Sequence, residues 1–304
     1  MHGGGWSAFI KEKYVMLDHL RKRGSFIGCA NQLKEAEIVM VGAPMDFTSS
    51  FRGGSRFGPS AICDVSDVLE TYSPELDRDL EEIQFYDAGD IGLPVGNSQS
   101  SLDMIYATIN DIVKAEKTPV VLGGEHLITF PVIQVLSQKY PDLFVLQFDA
   151  HADLRDSYDG EKLSHATVMR RIVELIGGDR VFQFGIRSGT KEEFQYAKHN
   201  THLIKGNVVE AIESFLRIIG NHPLYITFDI DVLDPAYAPG TGTPEPGGIS
   251  SKELFSSIYC LQNVNIVGFD IVEVNPAFDS SQRTQILAAK VLREMVLIMS
   301  GVEL

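Results

Sequence analysis

Short apolar runs alternating with helix-length segments constrain this chain more than any other feature. EIVMVGA (37–43), IQFYDAG (83–89), TPVVLGG (118–124), LFVLQFDA (143–150), RVFQFGI (180–186), PLYITFD (223–229) and VNIVGFD (264–270) read as buried strands, with THLI (201–204) as a weaker one. Runs that are apolar on both sides are what parallel strands covered on both faces require. Helical length and charge patterning occur at 100–116, 131–140, 166–177, 206–219, 250–262 and 281–298. This alternation predicts an α/β fold with a single parallel sheet and helices on both faces. We read residues 1–304 as one domain, with 1–25 as an N-terminal extension that is either mobile or engaged in a subunit contact.

Polar residues cluster where the apolar runs stop. Gly123-Gly124-Glu125-His126 follows one run, and Asp149, His151 and Asp153 follow another. Asp229 and Asp231 close a third, and Asp270 with Glu273 closes a fourth. In open parallel sheets the carboxyl ends of the strands form the ligand crevice. Four clusters from four strand ends therefore converge on one edge of the sheet.

Spacing by two at a strand exit puts Asp149, His151 and Asp153 on one side of the chain, and Asp229 with Asp231 repeats the pattern. His126 completes a set of two imidazoles and four carboxylates with no thiolate. That donor mix suits hard or borderline divalent ions such as manganese rather than a closed zinc site. Six ligands exceed what one tetrahedral ion uses, and four adjacent carboxylates repel unless neutralised. Two cations sharing carboxylates and one acidified water resolve both problems. Taken singly, each motif also has an ordinary reading: a loop histidine, a cap or a turn. Their joint occurrence at successive strand exits is what argues for a metal centre.

The formal net charge of −15 argues against nucleic acid and anionic membranes as partners and favours cationic small molecules. No apolar run approaches the roughly 18–20 residues that a membrane span needs. Charges interrupt every apolar stretch of the first 24 residues, so no secretory signal is read there. Cys29, Cys63 and Cys260 are scattered, an odd set that fits unpaired thiols in a reducing cytoplasm.

GGEH (123–126), DAHAD (149–153), DIDVLDP (229–235), PGTGTPEPGG (239–248) and DIVEVNP (270–276) together resemble the ureohydrolases, a family that comprises arginase, agmatinase, guanidinobutyrase and formimidoylglutamase. The resemblance runs from about Phe26 to the C-terminus and includes VGAPMDFTSSFRGGSRFGP (41–59) and LSHATVMRR (163–171). It implies an arginase-like three-layer α/β/α sandwich around a parallel sheet of about eight strands. It also implies two manganese ions per subunit and assembly into homotrimers or homohexamers. One ion falls to His126, Asp149, Asp153 and Asp229, and the other to His151, Asp149, Asp229 and Asp231. Glu273 is implied as the carboxylate that grips the guanidinium, Asp153 as the proton carrier to the leaving amine, and His165 as a proton shuttle at the site mouth. His165 also has a lesser, ordinary reading as a surface histidine at a helix start following Ser164. Thr243 is a further candidate substrate contact.

Substrate choice lies in how the far end is held. The arginase pattern carries an S-G-N-type segment ahead of the shuttle histidine, whereas LRDSYDGEKLSHAT (154–167) lacks it and offers Asp156, Asp159 and Glu161. An acidic loop favours a terminal ammonium, so agmatine, hydrolysed to putrescine and urea, is the expected substrate. 4-Guanidinobutyrate is the nearest alternative; a deacetylase of similar fold or a non-catalytic relative are remoter ones. His19, His199, His202 and His222 read as solvated. Arg52 and Arg56 either lead a turn into a helix at Gly58-Pro59 or form ion pairs at a subunit contact. Trp6 is read as mobile or packed on a neighbouring subunit.

Overall fold

Along the central strands, successive side chains enter two different cores. Val39, Val121, Val145 and Tyr225 go to one apolar cluster, and their neighbours Met40, Val120, Leu146 and Ile226 go to the other. Both faces are apolar because both are covered, as the unbroken runs in the sequence require.

The computed structural model describes residues 20–30, 32–204 and 207–300; Trp6 and His19 lie outside them. The chain order is β1 (Leu20–Arg21), β2 (Ile38–Ala43), α1 (Gly58–Asp64), the small antiparallel pair β3 (Tyr72–Ser73) and β4 (Arg78–Asp79), β5 (Phe85–Ile91), α2 (Ser98–Lys114), β6 (Thr118–Gly123), α3 (Thr129–Lys139) and β7 (Phe144–Phe148). It continues with α4 (Val168–Ile176), β8 (Val181–Phe184), α5 (Lys191–Asn200), β9 (His202–Ile204), α6 (Val208–Ile219), β10 (Leu224–Asp229), α7 (Ser251–Tyr259), β11 (Ile266–Val272) and α8 (Arg283–Met299). The main sheet runs β1-β5-β2-β6-β11-β10-β7-β8-β9. Eight of these strands are parallel, as expected, and β1 adds a ninth, antiparallel edge strand on β5. Apolar residues of α2 to α5 pack on one face of the sheet, and those of α1, α6, α7 and α8 on the other. The result is the expected three-layer sandwich.

Residues 20–25 belong to this body. Leu20 and Arg21 pair with Ile91 and Asp90, and Arg23 reaches Asp87 and Asp90 of β5 at 2.7 and 2.6 Å. The turn at Gly58-Pro59 does lead into a helix: Pro59 opens α1. Arg56 pairs with Asp46 at 3.2 Å, and Arg52 lies over the rings of Phe51 and Phe278. His199, His202 and His222 stay away from the cavity described below; His202 stacks on Phe182 with ring centres 4.3 Å apart. Cys29, Cys63 and Cys260 are unpaired. Among the described residues no helix is long and apolar enough to cross a membrane.

One feature of the strand order sets up the site. β6, β11, β10 and β7 are consecutive neighbours in the middle of the sheet. These are the four strands whose carboxyl ends carry His126, Glu273, Asp229 and Asp149.

Candidate metal centre and active site

His126 leaves β6 through Gly123 and Gly124, on a path that only glycine allows. A Cβ on Gly124 would lie 1.9 Å from the carbonyl oxygen of Met45. Asp149 comes directly after β7, but the extended geometry does not continue to Asp153, whose φ of 52° is left-handed. Convergence of Asp149, His151 and Asp153 thus depends on a turn, where the spacing alone suggested continued extension. Asp229 ends β10 and accepts the backbone N–H of Asp231 at 2.9 Å. Asp231 in turn accepts the N–H of Ala150 at 3.0 Å, tying the two strand exits together. Glu273, beyond β11, is also left-handed, with φ of 62°. Non-glycine residues held this way cost free energy and persist where surrounding structure fixes them.

Five of the six expected ligands fall into two donor groups, and the sixth, Asp229, lies beside them near His126. His126, Asp149 and Asp153 form one group whose donor atoms lie within 4.8 Å of one another; Asp149, His151 and Asp231 form a second. Asp149 belongs to both. Nδ1 of His126 is 3.1 Å from Asp149, 3.0 Å from Asp153 and 3.6 Å from Asp229. Nδ1 of His151 is 2.9 Å from Asp231 and 3.7 Å from Asp149. These are nitrogen and oxygen donors in two adjoining groups with a shared carboxylate.

The cluster has no comfortable charge state of its own. Burial opposes charge on His126, but Asp149 and Asp153 overcome it and raise its pKa well above the usual imidazole value. Burial is likewise overcome at His151, mainly by Asp231, and its pKa is pushed up to about 12. Burial, then Asp149, raises Asp153 to about 7, and burial with Asp231 and Asp149 raises Asp229 well above the carboxylate range. Asp231 is raised by burial too, while Asp149 is lowered because its two imidazole neighbours outweigh burial. Protons crowd where cations would otherwise sit. Nδ1 of His126 and Oδ2 of Asp231 are buried and make no hydrogen bond, so each group keeps one polar atom unsatisfied. The residues fit two divalent cations.

Behind the ligands lies a polar layer. Nε2 of His126 meets the Thr227 hydroxyl at 2.9 Å, and Thr227 donates to Asp270 at 2.6 Å. Asp270 also accepts from Thr129 and Tyr225 at 2.8 and 2.7 Å. Gln147 donates to Asp149 at 2.6 Å and accepts from Gln183 at 2.6 Å. In register, Asp270, Thr227, Gln147 and Gln183 form one row across β11, β10, β7 and β8, all fully buried. Such outer contacts orient ligands and fix the histidine tautomer. Arg187 adds a third support, donating 2.7 Å bonds to the carbonyls of Asp231 and Glu245.

A cavity of about 290 Å³ opens onto these groups, lined by His126, His151, Asp153, Asp229, His165, Thr243 and Glu273 among others. Glu273 receives the backbone N–H of His126 at 2.9 Å, and burial with the nearby Glu125 raises its pKa to about 8. His165 opens the turn before α4, capped by Ser164. Burial above all lowers its pKa to about 4, and positive charge on His126 and His151 adds to the effect. It is no solvated surface histidine.

The three acidic candidates for the substrate tail fail on position. Asp156, Asp159 and Glu161 do not line the cavity. Asp156 is turned to Arg171, 3.1 Å away, and Asp159 and Glu161 sit in an exposed turn closed by Tyr158 and Glu161. The same loop instead contributes Arg155 and Tyr158 to the lining, joined by Ser188, Thr190 and Glu193. Sequence reasoning missed these. The capping box of Thr190 and Glu193 was readable at T-K-E-E, but nothing local places Glu193 beneath Leu154, whose N–H it accepts at 3.0 Å.

This fold and this paired donor set describe a hydrolase centre of the kind the ureohydrolases carry, and the relatives agree. The Arginase family model matches residues 36–298, and the chain belongs to that family. An agmatinase of Bacillus cereus is 52% identical over 275 residues, 90% of this chain and 95% of its own. A guanidinobutyrase of Pseudomonas aeruginosa is 33% identical over 287 residues, 89% of each chain. The crystal structure of a putative agmatinase from Clostridium difficile superposes with a TM-score of 0.86 at 42% identity, covering 88% of this chain and 99% of that one.

Proposed function

We propose that this protein hydrolyses agmatine to putrescine and urea, with two manganese ions per subunit. The observation that carries the reading is one cavity lined by four of the six expected ligands, His126, His151, Asp153 and Asp229, together with Glu273, the carboxylate suited to a guanidinium, with Asp149 and Asp231 directly behind them in the same donor groups. The 52% identity to an agmatinase, against 33% to a guanidinobutyrase, supports agmatine as the substrate.

When bound, two divalent cations supply a water acidified enough to act as a nucleophile at neutral pH. The chain's own residues do the rest. His126, Asp149, Asp153 and Asp229 would hold one ion, and His151, Asp149, Asp229 and Asp231 would hold the other. Glu273 binds the planar guanidinium through paired N–H bonds and orients its central carbon. Burial and the nearby Glu125 raise its pKa, and a cation beside it favours the carboxylate form. Asp153 takes the proton of the attacking water and passes it to the leaving amine, and His165 exchanges protons at the mouth. Thr243, which also lines the cavity, would contact the substrate.

One observation favours a substrate carboxylate instead: Arg155 lines the cavity. Its Nε lies 3.5 Å from Glu193 and its guanidinium 5.0 Å from the Tyr158 ring centre, so the charge is already partnered. Urea release from agmatine, arginine and 4-guanidinobutyrate by manganese-loaded protein decides. Agmatine should give the highest kcat/KM. A higher value for 4-guanidinobutyrate moves the assignment to a guanidino acid, and no urea from any of them makes the chain a non-catalytic relative.

The same reading takes residues 1–304 as one domain, homotrimeric or homohexameric, in the cytoplasm. A single family match across 36–298 and three unpaired cysteines support the first and last points.

A further inference from the structure

Thr48, in the loop after β2, joins two residues that chain order keeps far apart. Its backbone N–H donates to Oε2 of Glu125 at 2.7 Å, and its hydroxyl donates to Oε1 at 3.0 Å. Glu125 is the acid of GGEH and is fully buried. The same hydroxyl oxygen accepts the backbone N–H of His165 at 3.0 Å and lies 3.3 Å from its Nδ1.

A threonine hydroxyl has one proton and two lone pairs. The ionised Glu125 takes the proton, a form favoured by two bonds from Thr48 and by cations in the neighbouring metal centre against the burial that raises its pKa to about 7, and the His165 backbone N–H takes one lone pair. Contact with Nδ1 is then favourable only if Nδ1 carries a hydrogen and gives it to the remaining lone pair. Ser164 does not decide the matter, because its hydroxyl, also 3.3 Å from Nδ1, can donate or accept. We infer that Glu125 and Thr48 are positioning residues that hold His165 in its Nδ1-protonated tautomer, leaving Nε2 unprotonated as the working nitrogen. Neither touches the substrate; both act through the imidazole.

The inference rests on His165 being the proton shuttle and sharpens that role. A bare Nε2 makes the resting histidine a proton acceptor. With the pKa of His165 lowered to about 4, chiefly by burial, the ring is neutral at ordinary pH, so the tautomer governs which way a proton moves.

Nitrogen NMR of the histidine rings tests this directly on full-length protein loaded with magnesium or zinc, which avoid the paramagnetism of manganese. His165 is assigned by its loss in His165→Asn. The wild-type protein should show Nδ1 protonated and Nε2 bare, Thr48→Ser should keep that pattern, and Thr48→Val should shift His165 toward the Nε2-protonated form. In the manganese-loaded protein, Thr48→Val should lower kcat about 10- to 100-fold with little change in KM, and Thr48→Ser should restore most of it. A wild-type spectrum with Nε2 protonated overturns the inference whether or not any variant folds. A tautomer unmoved by Thr48→Val overturns it as well. If His165→Asn turns over like wild type while the wild-type ring shows the expected tautomer, the shuttle role falls and the positioning contact stands.

Discussion

Two of the buried charge clusters among the described residues differ in kind, and only one of these two is a site. At one end of the sheet, Asp87 and Asp90 of β5 face Arg23, which reaches them at 2.7 and 2.6 Å and also contacts the Cys63 thiol. Asp87 further accepts the N–H groups of Phe26 and Gly89. Here the chain brings its own cation, and burial, opposed by Arg23 but reinforced by Asp87 and Asp90, pushes the Cys63 thiol up, away from reactivity. At the centre of the sheet, four aspartates face two imidazoles, none of the four forms an ion pair with an arginine or lysine among the described residues, and one polar atom in each group is left without a hydrogen bond. Carboxylates with a tethered cation are architecture; carboxylates without one require ions from solution.

The contrast can be broken in several ways, beginning with the largest effect. Asp149→Asn removes the ligand common to both groups and should abolish urea release and lower bound divalent metal, as measured by elemental analysis. An active, fully loaded variant would defeat the shared-ligand reading. Arg23→Ala should instead cost about 3–5 kcal/mol of unfolding free energy in urea titrations, because two buried carboxylates lose their partner. Its kcat/KM should match wild type where folded; a large loss of turnover would join the two clusters functionally. Thr227→Val, which cuts His126 from Asp270, should weaken metal binding about 10- to 100-fold by calorimetry.

The smallest effect concerns acid. Folding lowers the His165 pKa to about 4, so between the ordinary imidazole value and 4 the unfolded chain binds the proton more readily. Stability tied to the neutral ring is complete above that window and drains as pH falls through it. Unfolding free energies at pH 7 and 5 should therefore drop more for wild type than for His165→Gln. Parallel losses would mean that the ring is not depressed.

The strands were legible because each is buried on both faces, and their polar terminators were legible because metal chemistry demands particular donor atoms. What escaped was whatever depends on distant partners. α5 (KEEFQYAKHN) is too polar to show a core-facing stripe, and β1 is two residues long and owes its place to β5. Asp156 carries the charge expected of a tail contact, but Arg171, one helix away, claims it. Thr48 and Glu125 are separated by 77 residues. Gln147, Gln183 and Thr227 did leave a trace: each is a polar residue inside an otherwise apolar run, at positions that register aligns.

That aligned row also acts on assembly of the sheet. Sliding β7 or β10 by one residue against its neighbours would turn Gln147 or Thr227 into the opposite, wholly hydrocarbon layer, stranding amide or hydroxyl groups at about 1–3 kcal/mol apiece. Only the native pairing satisfies them, and the native pairing is also what brings Asp149 level with Asp229. The pairing that satisfies this buried row is thus the same one that sets the spacing of the ligands.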